Sequence, residues 1–321
     1  MQNFLISFNV VFPIFIMMIL GFAIKKINLI NDVTVKQVNN VIFRVLLPVM
    51  LFKNIYESDI NKAFNPRLVI YAVVTVVIII IALFIIIPII EKDNKKRGAL
   101  IQGIFRSNFA ILGLPVTESL LSQSIISESA AAGIATVSVL IAVIVPLYNF
   151  AAVITLEIFN SKKFQFVKML KNIITNPLII ASVLGIVISS LNITFPSVIE
   201  SSIKSISSIT TPLALVVLGA SIQFKTIAGN IKQILIGIIG KLIIVPALGI
   251  FIGAYVFNFT GVELIALLAL FASPTAVSSF TMAQQMGSDA DLAGQLVMIS
   301  TAGCVFTVFM WIYIIIVVGL L

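Results

Sequence analysis

The chain has 321 residues, 60% hydrophobic and only 10% charged, with 20 basic against 12 acidic side chains and no histidine. Charged residues make up about a quarter of an ordinary soluble domain, so this composition belongs to lipid and leaves no soluble domain over. The missing histidine removes Ser-His-Asp chemistry, imidazole proton relays and the commonest zinc ligand; the single Cys304 excludes an internal disulfide framework; and the net charge of +8 is accounted for by cytoplasmic loop bias, not nucleic acid.

Apolar runs of the length a bilayer requires, about 20 residues, fall near 7–24, 37–53, 67–90, 98–121, 129–156, 172–191, 203–222, 233–257, 262–284 and 292–321. They are expected as ten helices, because lipid offers no partner to backbone groups and a closed barrel would need an alternation that VVIIIIALFIIIPII lacks. The first run has its lysines after the apolar stretch and no small-residue cleavage site, so it reads as a span and not a leader. An all-α, multi-pass protein of the cell membrane follows.

Lys25, Lys26 and Lys36 fall in the first loop; Lys92, Lys95, Lys96 and Arg97 in the third; Lys162, Lys163, Lys168 and Lys171 in the fifth; Lys225 and Lys232 in the seventh. The even loops hold four basic residues, Lys53, Lys62, Arg67 and Lys204, against these thirteen. The bias puts the odd loops in the cytoplasm and both termini outside. Arg44, Arg106 and Lys241 lie within apolar runs. Arg44 and Lys241 read as snorkelling or structurally paired cations, whereas Arg106 divides evenly between snorkelling and a functional site.

The prolines carry an internal repeat. Pro13 and Pro177 are 164 residues apart, as are Pro48 and Pro212; Pro88 and Pro246 are 158 apart, and Pro115 and Pro274 are 159 apart. PIFIMMILG from Pro13 matches PLIIASVLG from Pro177, with proline and glycine in register. Two repeats of five spans, residues 1–160 and 161–321, would enter the membrane from opposite sides and so be inverted, an architecture that sets substrate near the midplane between the repeats.

Span 4 contains NFAILGLPV and span 9 FASPTAVSS, so both are expected to be broken at their prolines. Each new half-helix is expected to start at the proline, with free N–H groups and the positive dipole end at mid-depth, a setting for a carboxylate or phosphate. Arg106, Asn108, Gly113 and Pro115 on one side and Ser273, Pro274, Thr275, Ser278 and Gln284 on the other are the candidate substrate residues. Among them Ser and Thr can equally bond their own helix's carbonyls. Mid-membrane carboxylates are lacking, so no proton carrier can be named; sodium could be held by unwound carbonyls and hydroxyls. An intramembrane enzyme finds neither an Asp pair nor a Gly-x-Ser-x-Gly motif, and no cofactor is expected.

The segments NNVIFRVLLPVMLFKNI, FRSNFAILGLPV and ASPTAVSSFTMAQQMGSDADLA, in this order and spacing, resemble the auxin efflux carrier family over essentially the whole chain. The resemblance implies two crossing broken helices, a scaffold of spans 1, 2, 6 and 7 carrying a homodimer interface, and a mobile transport domain of spans 3–5 and 8–10. It also implies a substrate contact at Asn108, seven residues before Pro115, while Gln284 and Gln285 stand where the plant carriers have a Lys-Glu pair. The expected function is secondary transport of a small organic anion, a mono- or dicarboxylate, by an elevator-like movement. An anion-selective channel is the alternative.

Overall fold

A computed structural model describes residues 2–57, 65–122, 130–160, 175, 177–191, 193–221 and 229–321. Lys62, Lys162, Lys163, Lys168, Lys171 and Lys225, and the boundary expected at 160/161, touch or fall outside these residues. All regular structure among them is helical: α1 (Gln2–Lys26), α2 (Asp32–Val41), α3 (Leu47–Tyr56), α4 (Pro66–Ile90), α5 (Asn94–Phe105), α6 (Leu114–Ser122), α7 (Ala130–Asn160), α8 (Pro177–Ser190), α9 (Ser197–Ser221), α10 (Ile231–Ile239), α11 (Val245–Tyr255), α12 (Gly261–Ala272), α13 (Ser278–Met286) and α14 (Ala290–Val317).

Eight helices, counted through their irregular turns, are long and apolar enough to cross a membrane, not the ten expected. Of the other two expected spans, the sixth is described as the 14-residue α8, and the ninth is interrupted between α12 and α13, leaving halves of 12 and 9 residues. Helix α4 shows the solvent it was built for. Ile70, Val74, Ile78, Ile81, Ile85 and Ile89 form one exposed stripe, while Leu68, Ala72, Val76, Ile79 and Ile87 face the core. Its start is fixed by Asn65, whose side chain accepts from the Leu68 N–H, and by Pro66, whose missing N–H is no loss in a first turn.

Three π turns, Ile42–Leu46, Phe109–Gly113 and Gly240–Ile244, join α2 to α3, lead into α6, and join α10 to α11. Each is followed by one residue and then a proline: Pro48, Pro115 and Pro246. A proline ring collides with the carbonyl four residues back and cannot donate to it. Widening the preceding turn relieves the collision, and the residue before the proline bonds five back instead: Leu47 to Ile42, Leu114 to Phe109 and Val245 to Gly240. The carbonyl that Pro246 leaves without a donor, Leu242, accepts from the Trp311 indole at 2.9 Å.

The prolines matched by the repeat do not share a local setting. Pro13 and Pro212 lie inside uninterrupted helices, Pro177 opens α8, Pro88 lies near the end of α4, and Pro274 is in a non-helical stretch.

Helices α1, α3, α8 and α9 pack on one another, and the most extensive contact is α1 on α9. A Cβ at Gly21 or Gly219 would overlap the carbonyl of Val216 or Met18, so the two backbones meet as closely as glycine permits. The remaining helices form a second group around α5, α7, α12 and α14. At one end of the molecule, Lys96 bonds Asn230, Gln233 bonds Glu91, and Ser288 bonds the Lys95 carbonyl. At the other, Asn65 bonds Glu263, Arg67 the Phe257 carbonyl, and Tyr56 Glu200. Odd loops 3, 7 and 9 thus gather at one end and even loops 2, 6 and 8 at the other.

Candidate functional site

Helix α5 stops at Phe105, Arg106–Asn108 are extended or irregular, and the chain resumes with the π turn at Phe109. Helix α12 stops at Ala272, and α13 begins at Ser278. The first break therefore lies seven residues before Pro115, not at it. Pro115 stands within a resumed helix, and the N-terminal ends expected at Pro115 and Pro274 are at Phe109 and Ser278. The π turn absorbs the collision at Pro115, so that proline does not have to open the helix.

The two breaks meet. The Asn108 N–H donates to the Pro274 carbonyl at 2.8 Å, the Thr275 hydroxyl to the Gly103 carbonyl at 2.6 Å, and the Gln102 amide to the Ser279 carbonyl at 3.0 Å. The Thr275 N–H in turn finds the Ser300 hydroxyl on α14 at 3.1 Å. Each interruption leaves backbone groups without helical partners, and the other interruption supplies them.

Arg106 is 2% exposed and does not snorkel. Its guanidinium reaches Met282 Sδ at 2.8 Å, Asn149 Oδ1 at 2.8 Å and Ser278 Oγ at 2.7 Å, while its Nε has no hydrogen-bond partner. Among the described residues no carboxylate pairs with it; the ion pairs there are Lys25 with Asp32 and Lys53 with Glu57. Beside it the Asn108 Nδ2 and Ser107 Oγ are also buried without partners. These groups line a cavity of about 40 Å³ with Tyr148, Asn149 and Ser278, closed on the far side by Phe43 from the first π turn. The volume suits one or two waters and no larger organic molecule. Arg106 also stands at the N-terminus of α13, where the helix dipole adds positive potential.

Of the candidates, Arg106, Asn108 and Ser278 are brought to this cavity and the others are not. Ser273 bonds the Ala269 carbonyl in its own helix, Thr275 fastens the crossing, and Pro274 contributes its carbonyl to Asn108. Gly113 permits close approach of the first crossing to α12, since a Cβ there would lie 2.9 Å from the Ala269 carbonyl oxygen. Pro115 is buried behind it, and Gln284 is exposed near the end of α13. Tyr148 and Asn149 were not anticipated; a polar pair directly after Pro146 in an otherwise apolar run is the signal that marks them. Lys241, expected to snorkel or pair, is fully buried in the third π turn with no hydrogen-bond partner for its Nζ.

Outside the membrane-spanning segments, Glu91 closes the loop between α4 and α5. Burial pushes its carboxyl up. The Asp93 N–H at 2.9 Å, the Gln233 amide at 2.6 Å, the Lys92 backbone N–H and the charge of Lys96 together outweigh burial and hold it below the usual carboxylate value.

Crossing interruptions at depth, in a bundle of long lipid-exposed helices, define a membrane transport protein. The family described as "Membrane transport protein" matches residues 6–312, and the chain belongs to it, the auxin efflux carrier family. It is also similar to an uncharacterized transporter of Methanocaldococcus jannaschii, 23% identical over 317 residues, covering 96% of this chain and 98% of that protein.

Proposed function

We propose that this transporter carries a small organic anion, a mono- or dicarboxylate, across the cell membrane by elevator-like alternating access. The observation that carries the reading is Arg106: a buried guanidinium at the crossing, with no acidic partner among the described residues, one unused donor, and the open Asn108 amide beside it. An uncompensated buried charge costs several kcal/mol, which a carboxylate seated against the guanidinium fork would offset through paired, charge-assisted hydrogen bonds. The cavity is too small to hold such a molecule as it stands, so loading requires the walls to separate. Phe43 belongs to the α2–α3 element, and the other walls to α7 and the crossing helices, so relative movement of the two helix groups would open it.

In the same reading α8 and the interrupted α12–α13 pair complete ten spans in two inverted repeats. Support comes from α5 and α12, 12 residues each, which both end at a break and are bonded to each other there. The α1, α3, α8 and α9 group would be the scaffold and carry a homodimer interface, and both termini would lie outside. Sodium or proton coupling is part of the proposal only as a class.

Uptake and counterflow of labelled mono- and dicarboxylates into proteoliposomes, with and without sodium and pH gradients, test it. Saturable flux with counterflow supports a carrier. Unitary anion currents would establish the channel alternative, and no flux of any carboxylate would overturn the substrate class.

A further inference from the structure

Between α4 and α11 a groove of about 530 Å³ opens on the outer surface of the bundle, away from the crossing. Arg67, Tyr71, Val74, Ile78, Leu248 and Ile252 are among its walls, and the aliphatic members of this set are exposed. The exposed stripe of α4 continues beyond it through Ile81, Ile85 and Ile89, so the medium that fills the groove is lipid. A groove differs from a flat lipid-facing surface in surrounding one chain on several sides.

Its length and its one charge narrow the occupant. The lining runs along α4 from Arg67 to Ile79, twelve residues on. At 1.5 Å per residue that is about 18 Å, close to the roughly 15 Å of one leaflet of a 30 Å hydrocarbon core. The mouth is at the helix start, where Asn65 and Pro66 bring the chain into the membrane, and the far end is near mid-depth. Arg67 is held at the mouth by the Phe257 carbonyl, 2.6 Å from its Nη2, and by the Phe259 ring, whose centre lies 5.3 Å from the guanidinium carbon. Among the described residues no carboxylate pairs with it. The groove floor is fastened by the Tyr71 hydroxyl, which donates to the Gly249 carbonyl at 2.7 Å.

We propose that this groove binds one acyl chain of an anionic phospholipid, with Arg67 holding the headgroup phosphate. The apolar walls accept any acyl chain. Preference for an anionic headgroup comes from the unpaired guanidinium, since a zwitterionic lipid brings its own ammonium to the phosphate.

The test is thermal unfolding of the purified protein in detergent with added dioleoyl phosphatidylglycerol, dioleoyl phosphatidylcholine or inorganic phosphate. The expected result is a larger upward shift of the midpoint with phosphatidylglycerol than with phosphatidylcholine, and none with inorganic phosphate. Arg67→Gln should bind phosphatidylglycerol about fivefold more weakly, the effect of one basic residue near an anionic surface, and lose the headgroup preference. Ile78→Trp, which fills the groove, should weaken both lipids. Because a variant can fail to fold, the wild-type protein is also labelled with phosphatidylglycerol carrying a photoreactive acyl chain, and adducts are expected on α4 and α11. Equal shifts from the two lipids, a full shift from phosphate alone, a preference retained by Arg67→Gln, or adducts elsewhere would each overturn the proposal. So would dimer cross-links between groove cysteines, which would make the occupant a second copy of the chain.

Discussion

Asn108 and Pro274 are joined across 2.8 Å, the N–H of one interrupted helix to the carbonyl of the other, so neither interruption can close without releasing its partner. That bond sets Asn108 with its side-chain amide free beside Arg106.

Arg106→Met should reduce carboxylate uptake by about 10- to 100-fold, the equivalent of a charge-assisted hydrogen bond of ~1.5–3 kcal/mol. Its thermal midpoint should not fall in proportion, because the substitution also removes a buried charge that has no counter-ion. Arg106→Lys keeps the charge without the planar fork and should lie between the two. Parental uptake in Arg106→Met would sink the anion site.

Asn108→Ala should weaken apparent affinity by roughly tenfold while leaving expression and the thermal midpoint intact, because its Nδ2 has no internal partner to lose. Asn108→Asp places a negative charge beside the incoming anion and should be worse than alanine. Equal affinities for all three side chains, measured by counterflow, would assign Asn108 to structure alone.

Gly219→Ala should destabilise by about 1–3 kcal/mol, because its Cβ would run into the Met18 backbone, which cannot swing aside as a side chain can. Gly303→Ala, whose Cβ would meet only a Leu242 methyl at 3.1 Å, should cost less. Thermal unfolding in one detergent compares them; equal midpoints would show that the α1–α9 contact does not require glycine.

Glu91 gives an acid limb to stability. Its carboxyl is held below the ordinary value of 4.5, so its contribution is full above that pH and is lost as the pH falls through the lower folded value. Glu91→Gln should be less stable than the parent near neutrality and show a flatter loss below about pH 4.5. A parental acid limb in the variant would show that other carboxylates govern it.

With Cys304 replaced, a cysteine at Lys95 should resist an impermeant thiol reagent applied to intact cells, and one at Arg67 should react. The reverse pattern would invert the orientation drawn from the loop charges.

The membrane-spanning helices were legible because lipid forces apolar length into the sequence, and the even and odd loops sort to opposite ends as the count of runs requires. The position of the first break was not legible. Proline marks where a donor is missing, and Pro274 does lie inside the second break, but at Pro115 a π turn accommodates the ring and the chain opens at Arg106–Asn108 instead. No residue type announces a π turn. Tyr148 and Asn149 reach the cavity from a helix about 40 residues further along, a relation of packing that local pattern does not contain. Arg106 could be named but not decided, because snorkelling and burial differ only in where the side chain points.

A π turn spends five residues where an α turn would spend about four, so each holds a surplus residue inside a helix that is otherwise fully bonded. Tightening the turn at Phe109–Gly113 would draw that residue back into the regular ladder and rotate the segments on either side by about 100° relative to one another. The segment on one side of that turn begins at Asn108, and the wall opposite comes from another such turn, through Phe43. The cavity thus lies between two points where a helix can exchange length for rotation without breaking, a kind of slack that a rigid bundle of the same helices would lack.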